Sequence, residues 1–264
     1  MTEPAGAILA TVEDRVGWIT ISNPARHNAI SLAMWQALGA ALGEFEADPA
    51  VRVIVLRGAG EAAFASGADI SRFEEERSTP EAVRRWNQVV GGSMRRVADV
   101  EKPTLAMIRG FCLGGGLAVA SQCDLRFAAA GSRFGIPAAK LGVGYDWAGV
   151  KQLLDLVGPS AVKDLLFTGR RLDAEEALAR GLIDRLVPPG DLEPLVRETA
   201  LQIADNAPLT VAAAKLVVRE LTRPAGDFDQ ARCEAAVARC FASADFREGR
   251  QAFLEKRKPS FEGR

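Results

Sequence analysis

The sequence is poor in the residues that most often carry metal and nucleophilic chemistry. It contains one histidine, His27, and four cysteines, none of them in a Cys-x-x-Cys pair. One histidine cannot form a metal cluster, and any histidine-dependent triad would have to use it. The scattered cysteines indicate reduced thiols in a cytoplasmic protein rather than a disulfide framework or a zinc site. We therefore expect no metal and a cytoplasmic location.

An excess of charge of one sign and a long apolar run are also missing. Lysine and arginine number 33 against 34 aspartates and glutamates, for a formal net charge of −1. This balance gives no electrostatic footprint for nucleic acid or an anionic membrane. No apolar run approaches the length of a membrane span, and residues 1–10 lack the features of a signal peptide. The 264 residues, 48% of them hydrophobic, fit one large domain or one domain with a small appendage.

Hydrophobic periodicity predicts alternating strands and helices through about residue 146, and successive helices without a strong strand from about Trp147 onward. This alternation indicates an α/β fold with largely parallel strands. The predicted elements are a hairpin (Ile8–Glu13 and Val16–Ser22), buried strands (Val53–Leu56, Thr104–Ile108 and Leu125–Ala129), and helices over Ser31–Asp48, about Glu81–Asp99 and near Leu117–Cys123. We interpret residues 1–200 as the α/β core, and residues 201–264 as a helical region that packs on it or on a neighbouring subunit.

A run of three glycines, Gly114–Gly116, stands between an apolar strand and a predicted helix. Glycines leave the backbone N–H groups open, and a following helix directs the positive end of its dipole toward them. Such a site can hold an anion, or an oxygen that becomes one during a reaction. The alternative is a tight connection that merely needs flexible residues.

Five ordered motifs carry a family resemblance over essentially the whole chain. They are Asn23–Ser31, Phe64–Ile70, the glycine segment Ile108–Asp124, Phe134–Gly142 and Ala252–Lys258. With these motifs the sequence resembles the crotonase superfamily, also called the enoyl-CoA hydratase/isomerase family.

The resemblance implies a spiral of ββα turns followed by helices that take part in trimerisation, as a homotrimer or a dimer of trimers. It implies that two backbone N–H groups, here those of Ala68 and Gly115, hold the thioester carbonyl of an acyl-CoA. These donors form an oxyanion hole for the enolate that develops beside the thioester. No separate cofactor is implied, because coenzyme A is part of the substrate.

The resemblance also implies where the substrate binds. The implied substrate-binding residues are Arg26, Ser66, Ile70, Phe253 and Lys256. To these we add two candidates from the residues themselves: Gly114 of the glycine run, and Trp147, which could shape the acyl pocket. Phe253 and Lys256 belong to the C-terminal helices, which often come from the adjacent subunit. Composition alone favours a solvated basic tail for Lys256–Lys258.

The sequence departs from the family pattern at two positions. Hydratases of the family use two glutamates to hold and activate water, and the corresponding residues here are Ala118 and Ala138. Alanine can neither donate nor accept a proton, so the usual hydration mechanism is missing. Isomerases generally keep the second glutamate, which weakens that assignment as well.

Tyr145, the only tyrosine, and Asp146 stand in the pocket segment instead. An aspartate at this position resembles the acid/base of dienoyl-CoA isomerases and the nucleophile of aromatic acyl-CoA dehalogenases. A tyrosine at position 145 resembles that of methylmalonyl-CoA decarboxylases. The structural alternative is a helix entry, with Asp146 as N-cap and Tyr145 as a pocket wall. The acidic run Glu74–Glu76 could add a carboxylate, or simply form a solvated face.

These observations predict an acyl-CoA enzyme that stabilises a thioester enolate, nominally an enoyl-CoA hydratase that lacks both glutamates. One alternative is an isomerase, decarboxylase or C–C lyase that uses Asp146 and Tyr145. The other is a catalytically inactive subunit that binds CoA thioesters.

Overall fold

The computed structural model describes residues 6–72, 76–145, 147–223 and 226–264. The strands are β1 (Ala7–Glu13), β2 (Val16–Ser22), β3 (Val53–Gly58), β4 (Ala63–Ala65), β5 (Thr104–Ile108), β6 (Phe111–Leu113), β7 (Leu125–Ala129), β8 (Arg133–Gly135), β9 (Arg171–Leu172) and β10 (Arg185–Val187). The helices are α1 (Leu32–Ala47), α2 (Pro80–Asp99), α3 (Gly115–Gln122), α4 (Ala138–Leu141), α5 (Trp147–Thr168), α6 (Ala174–Ala179), α7 (Leu192–Ala204), α8 (Pro208–Leu221), α9 (Gln230–Ala242) and α10 (Ala244–Glu255). Short 3₁₀ helices cover Pro24–Arg26, Ile70–Arg72 and Pro189–Asp191.

A larger, six-stranded sheet has the order β1-β2-β3-β5-β7-β10. β1 and β2 pair antiparallel around Asp14 and Arg15, both of which have positive φ, as tight hairpin turns require. The other neighbours pair parallel. The predicted hairpin and the largely parallel α/β sheet are therefore confirmed.

A smaller, four-stranded sheet has the order β4-β6-β8-β9. β3, β5 and β7 of the larger sheet are each followed directly by β4, β6 and β8 of the smaller sheet, and then by a helix. Each ββα turn thus adds one strand to each sheet. The fold is the expected spiral, and it stacks the ends of β4 and β6 side by side.

Two differences from the sequence prediction concern short elements. No strong strand was predicted after Trp147, but β9 and β10 are strands, and this prediction was wrong. They have only two and three residues, too few for an alternating pattern to show. Helix α3 begins at Gly115 rather than near Leu117, because glycine gives no helix signal in a sequence.

Apolar side chains cover both faces of the larger sheet. Ile54 and Leu56 of β3 point into one core cluster, which includes Trp35 of α1. Val53 and Val55 point into a second cluster beneath α7. Coverage on both faces explains why this strand is wholly apolar in sequence.

Helix α1 begins as the sequence predicts. The Ser31 side chain accepts a hydrogen bond from the Met34 amide, which confirms it as the N-cap. The Glu76 carboxylate accepts a second bond, from the Leu32 amide at 3.1 Å. Both fix the start of a helix that packs against α2.

The C-terminal helices leave large apolar side chains exposed. α8 packs against α9, and α9 against α10. The exposed residues on these three helices include Val218, Leu221, Val237, Phe241, Phe253 and Leu254. Among the described helices, none combines the length and the apolar character needed to cross a membrane.

Candidate active site

The amide of Ala68 is directed by strand-like pairing with Ile30. The Ile30 amide donates to the Gly67 carbonyl at 2.8 Å, and the Asp69 amide donates to the Ile30 carbonyl at 3.2 Å. In this parallel bridge the groups before and after Ala68 face Ile30, so the N–H of Ala68 itself points to the opposite side.

Gly115 is the first residue of α3, so its N–H has no acceptor within the helix. It follows Gly114, which turns the chain with φ 51° and ψ −118°, a conformation that favours glycine. The Gly114 amide donates to the Gly135 carbonyl at 2.8 Å, which ties this turn to β8. The positive end of the α3 dipole lies at the same place.

The amides of Ala68 and Gly115, here called the amide pair, flank one narrow gap. A Cβ built on Gly115 would lie 3.8 Å from the Ala68 nitrogen, and one built on Gly67 would lie 3.6 Å from the Gly115 nitrogen. Over the described ranges of the chain, neither N–H donates to a protein acceptor. Two free amides on one gap can bind an oxygen that carries or develops negative charge.

Tyr145 lies beside the amide pair. Its hydroxyl donates to the Gly114 carbonyl at 3.3 Å, and its ring packs against Gly149. The phenol is thus held one residue away from Gly115. Asp146 lies outside the described residues, and Trp147 is the first residue of α5.

The two alanines are both buried and both stand at helix starts. Ala118 belongs to the first turn of α3, where its amide donates to the Gly114 carbonyl at 2.9 Å, and Ala138 is the first residue of α4. A methyl group at either position cannot move a proton. Positions 118 and 138 therefore provide no carboxylates that could activate a water molecule.

Comparison with known proteins identifies the family of this chain. The family model for enoyl-CoA hydratase/isomerase matches residues 11–264. The chain belongs to the enoyl-CoA hydratase/isomerase family.

Individual relatives agree with this assignment over almost the whole chain. The chain is 35% identical to a short-chain-enoyl-CoA hydratase of Clostridium acetobutylicum, over 95% of each protein. It is 34% identical to a carnitinyl-CoA dehydratase of Salmonella agona, over 93% of this chain and 94% of that protein. The crystal structure of an enoyl-CoA hydratase/carnithine racemase from Magnetospirillum magneticum superimposes with a TM-score of 0.93 at 34% identity, covering 99% of this chain and 97% of that one.

A group of three connected residues lies next to the amide pair: Arg26, Ser66 and Asp69. The Ser66 hydroxyl donates to the Arg26 carbonyl at 3.0 Å, and Arg26 Nη1 lies 3.0 Å from Asp69 Oδ1. The Arg26 side chain is 41% exposed, whereas that of Asp69 is 8% exposed. Arg26 therefore presents a cation at the surface, close to Ile70, which is also exposed.

His27 takes part in backbone geometry. It has a left-handed φ of 50°, and its carbonyl accepts from the Ser66 amide at 3.0 Å. Its ring meets Phe111 edge-on, with 5.7 Å between centroids. Its carbonyl thus positions the segment that leads to Ala68.

Phe253 and Lys256 lie at the end of α10. Phe253 is 84% exposed, and Lys256 ends the helix with a left-handed φ of 55°. In the described part of a single chain, no hydrogen bond, ion pair or ring contact joins either residue to Arg26 or to the amide pair.

Two residues near the amide pair, Asp69 and Trp35, were missed by sequence reasoning as site residues. Asp69 pairs with Arg26. Glu76, which belongs to the acidic run singled out in the sequence, holds the start of α1. Trp35 turns its six-membered ring toward Gly115, since a Cβ on Gly115 would lie 3.3 Å from Trp35 Cζ2. A buried tryptophan at helical spacing indicates core packing and nothing more. Glu74 and Glu75 of the acidic run lie outside the described residues.

The cysteines that flank α3 are buried, as expected for core residues. Burial raises the pKa of the Cys112 thiol well above its ordinary value, and raises that of Cys123 to about 12. Both remain protonated near neutral pH, so neither is an activated nucleophile.

Proposed function

We propose that this protein acts on an acyl-CoA thioester and stabilises its enolate in an oxyanion hole formed by the amide pair. The observation that supports this proposal is the placement on one gap, at the start of α3, of two backbone N–H groups that have no acceptor among the described residues, those of Ala68 and Gly115. Family membership supplies the substrate class, because the relatives are named for reactions of CoA thioesters.

The proposed chemistry is proton transfer at the carbon next to the thioester. A base takes a proton from this carbon, and the electron pair moves onto the thioester oxygen as an enolate. The two amides hold that oxygen, and the α3 dipole favours its charge. Loss of one such donor typically costs about 3 kcal/mol of transition-state stabilisation.

The group that transfers the proton is proposed to come from Tyr145 and Asp146. The Tyr145 hydroxyl lies 3.3 Å from the Gly114 carbonyl, next to one of the two donors, whereas positions 118 and 138 carry only methyl groups. The nominal reaction is hydration of an enoyl-CoA, the activity for which several relatives are named. Double-bond isomerisation is the second candidate, because it needs a mobile proton but no activated water.

Coenzyme A is proposed to bind along Arg26, Ser66, Ile70 and Gly114. Arg26 offers an exposed cation, and small residues let a thioester approach the backbone. Trp147 is proposed to contact the acyl group. Phe253 and Lys256 are proposed to complete the site from a neighbouring copy in a homotrimer or dimer of trimers. The apolar side chains exposed on α8, α9 and α10 support such an assembly. The reaction as proposed uses no metal and no cofactor besides the CoA of the substrate.

Deuterium exchange tests the enolate directly. A saturated acyl-CoA incubated with the protein in D₂O should gain deuterium at the carbon beside the thioester, as measured by mass spectrometry. Gly115→Pro removes one donor at the first helical position, where proline is tolerated, and should reduce exchange by at least 100-fold. Gly115→Ala keeps the N–H and controls for added bulk near Trp35. Equal exchange by wild type and Gly115→Pro would refute the oxyanion assignment.

A substrate panel then separates the reactions. Crotonyl-CoA, a dienoyl-CoA and a methylmalonyl-type CoA report hydration, isomerisation and decarboxylation. Tyr145→Phe and Asp146→Asn should each lower turnover of the accepted substrate. Gln152→Ala should not, because the Gln152 side chain donates to the Ser121 carbonyl in the last turn of α3, at the opposite end of that helix from Gly115. Tight binding of thioesters without turnover or exchange would favour an inactive binding subunit.

A further inference from the structure

Strand β1 forms one edge of the larger sheet. Among the described strands it pairs with β2 alone, in a continuous register over all seven of its residues. Nearly all of its side chains are exposed, including those of Leu9 (51%) and Val12 (44%). An edge strand presents a row of main-chain N–H and C=O groups that another strand can use for pairing. Strand β1 is therefore a long, apolar and regular edge.

The other three sheet edges are each protected. In the larger sheet the opposite edge, β10, has only three residues, and in the smaller sheet the edge strand β9 has two. At the remaining edge, β4, the Asn28 side chain donates to the Ala63 carbonyl at 2.7 Å. Proteins protect their edges with short strands, covering segments, lysine, proline or bulges. Strand β1 is long, and it contains no lysine, proline or bulge.

The hairpin turn determines which main-chain groups of β1 face outward. The two-residue turn closes on Glu13 and Val16, which form a hydrogen-bonded pair, and such pairs alternate with non-hydrogen-bonded ones along the hairpin. The residues whose main-chain groups point away from β2 are Ile8, Ala10 and Val12. None of these groups has a hydrogen-bond partner among the described residues. Alternate residues of the strand thus offer a donor and an acceptor at the free edge.

The sequence of β1 is self-complementary about Ala10. When two copies of the strand pair antiparallel with Ala10 opposite its counterpart, Ile8 lies opposite Val12. The residues in each of these pairs exchange two main-chain hydrogen bonds. On the other face of the sheet, Leu9 lies opposite Thr11. Apolar and β-branched residues in such cross-strand positions stabilise a sheet. A second copy of this chain therefore fits the free edge.

The charges near the strand also permit this pairing. Glu13 is the only charged residue of β1, and it would lie opposite Ala7, far from its own counterpart. Its carboxylate pairs with Arg197 at 3.0 Å within the same chain. Arg15 of the turn pairs with Asp205. Pairing in this register therefore brings no like charges directly opposite each other on the two strands.

We propose that β1 joins two copies of this chain, which link their larger sheets by antiparallel pairing of β1 across a two-fold axis. Each chain has one such edge, so the assembly contains an even number of chains. Between the two assemblies proposed above, the pairing favours the dimer of trimers, in which two-fold axes relate the two trimers. The inference does not depend on the reaction, and the exchange assay tests the proposed chemistry separately.

Sedimentation equilibrium tests the pairing through the mass of the particle. Wild type should contain an even number of chains. Ala10→Pro removes the outward N–H at the centre of the strand, at an edge position where proline is tolerated. This variant should halve the mass, with a circular dichroism spectrum like that of wild type. Ala10→Thr keeps the N–H and should retain the full particle. A wild-type particle with an odd number of chains, or an unchanged mass in folded Ala10→Pro, would overturn the proposal.

Cysteine cross-linking tests the register and does not require a proline variant that folds. The Cα atoms of a hydrogen-bonded antiparallel pair lie about 5.5 Å apart, within the span of a disulfide. Under mild oxidation Ala10→Cys should therefore form a covalent dimer. Val12→Cys should not, because its counterpart lies about 14 Å farther along the partner strand. Combining Ile8→Cys with Val12→Cys should restore the dimer. All variants carry Cys240→Ser, since Cys240 is half-buried whereas the other native cysteines are buried. Cross-linking of Ala10→Cys no greater than that of Val12→Cys would overturn the proposal.

Discussion

Gly116 lies directly against Ala65: a methyl group on Gly116 would stand 2.2 Å from the Ala65 carbonyl oxygen. Helix α3 and strand β4 therefore approach to a distance that only glycine allows. Gly116 follows Gly115, and Ala65 precedes Ala68 by three residues. This contact sets the separation between the two halves of the amide pair.

Gly116→Ala should damage both stability and the site. The added methyl forces the backbones of α3 and β4 apart, so we expect a loss of about 1–3 kcal/mol in the free energy of unfolding and a large fall in α-carbon exchange. Gly92→Ala is the matched control, because Gly92 lies inside α2 with no atom within 4 Å of its Cβ position. It should stabilise the protein by up to about 1 kcal/mol. Urea denaturation and the exchange assay measure both effects. A Gly116→Ala protein as stable and active as wild type would contradict the packing argument.

Asp69→Asn should weaken both the fold and the site, because it removes the charge of a buried carboxylate that pairs with Arg26 next to Ala68. We expect the free energy of unfolding to fall by about 1–3 kcal/mol, and kcat/KM for a CoA thioester to fall as well. Glu81→Gln breaks the exposed pair between Arg84 and Glu81 and should cost less than about 1 kcal/mol. The two variants are compared by urea denaturation and steady-state kinetics. Equal costs would mean that burial of the Asp69 pair contributes nothing.

The thiols should differ sharply in reactivity. Cys112, Cys123 and Cys233 are buried, and Cys240 is half-buried. Burial also raises the pKa values of Cys112 and Cys123, which keeps both thiols protonated. A disulfide reagent at pH 8 should therefore modify Cys240 first in the native protein and all four thiols in denaturant. Cys240→Ser should remove the fast phase. Prompt modification of Cys112 or Cys123, located by peptide mapping, would show that the region around α3 opens.

Acid should weaken the protein in part through a cluster around Arg170. Hydrogen bonds from this guanidinium hold the pKa values of Asp164 and Glu176 below their ordinary values. Groups with depressed pKa values stabilise the fold above their unfolded pKa, and this contribution disappears as pH falls through the folded pKa. The melting temperature should therefore fall more steeply below about pH 5 in wild type than in Arg170→Gln. Arg84→Gln, at an exposed pair, should show the wild-type slope. Identical slopes in wild type and Arg170→Gln would exclude a contribution from the cluster.

The main elements of the fold could be predicted from the sequence. The hairpin around Asp14 and Arg15, the Ser31 cap and the buried strand at Val53 all arise from local patterns, and each was confirmed. β9 and β10 were missed because pairing with β8 and β7, and not local sequence, makes them strands.

The site was predictable only in part. The glycines pointed to open amides, and the structure places those of Ala68 and Gly115 on one gap. The Tyr145–Gly114 contact joins residues 31 positions apart, and the approach of the Trp35 ring to Gly115 depends on how α1 faces α3. Such relations depend on tertiary packing, which no pattern in the sequence encodes locally.

The bridge between Ile30 and Ala68 determines which groups of the site amino-acid substitutions can remove. The Ala68 amide is aimed by main-chain pairing, and apart from proline no substitution can delete an amide. The side chains at 118, 138, 145 and 146 have no such protection. Single mutations can therefore change these side chains while the amide pair stays in place. The fold thus separates main-chain donors, which substitutions leave unchanged, from side chains, which substitutions can replace. A change of reaction at this site would require new side chains and no new main-chain geometry.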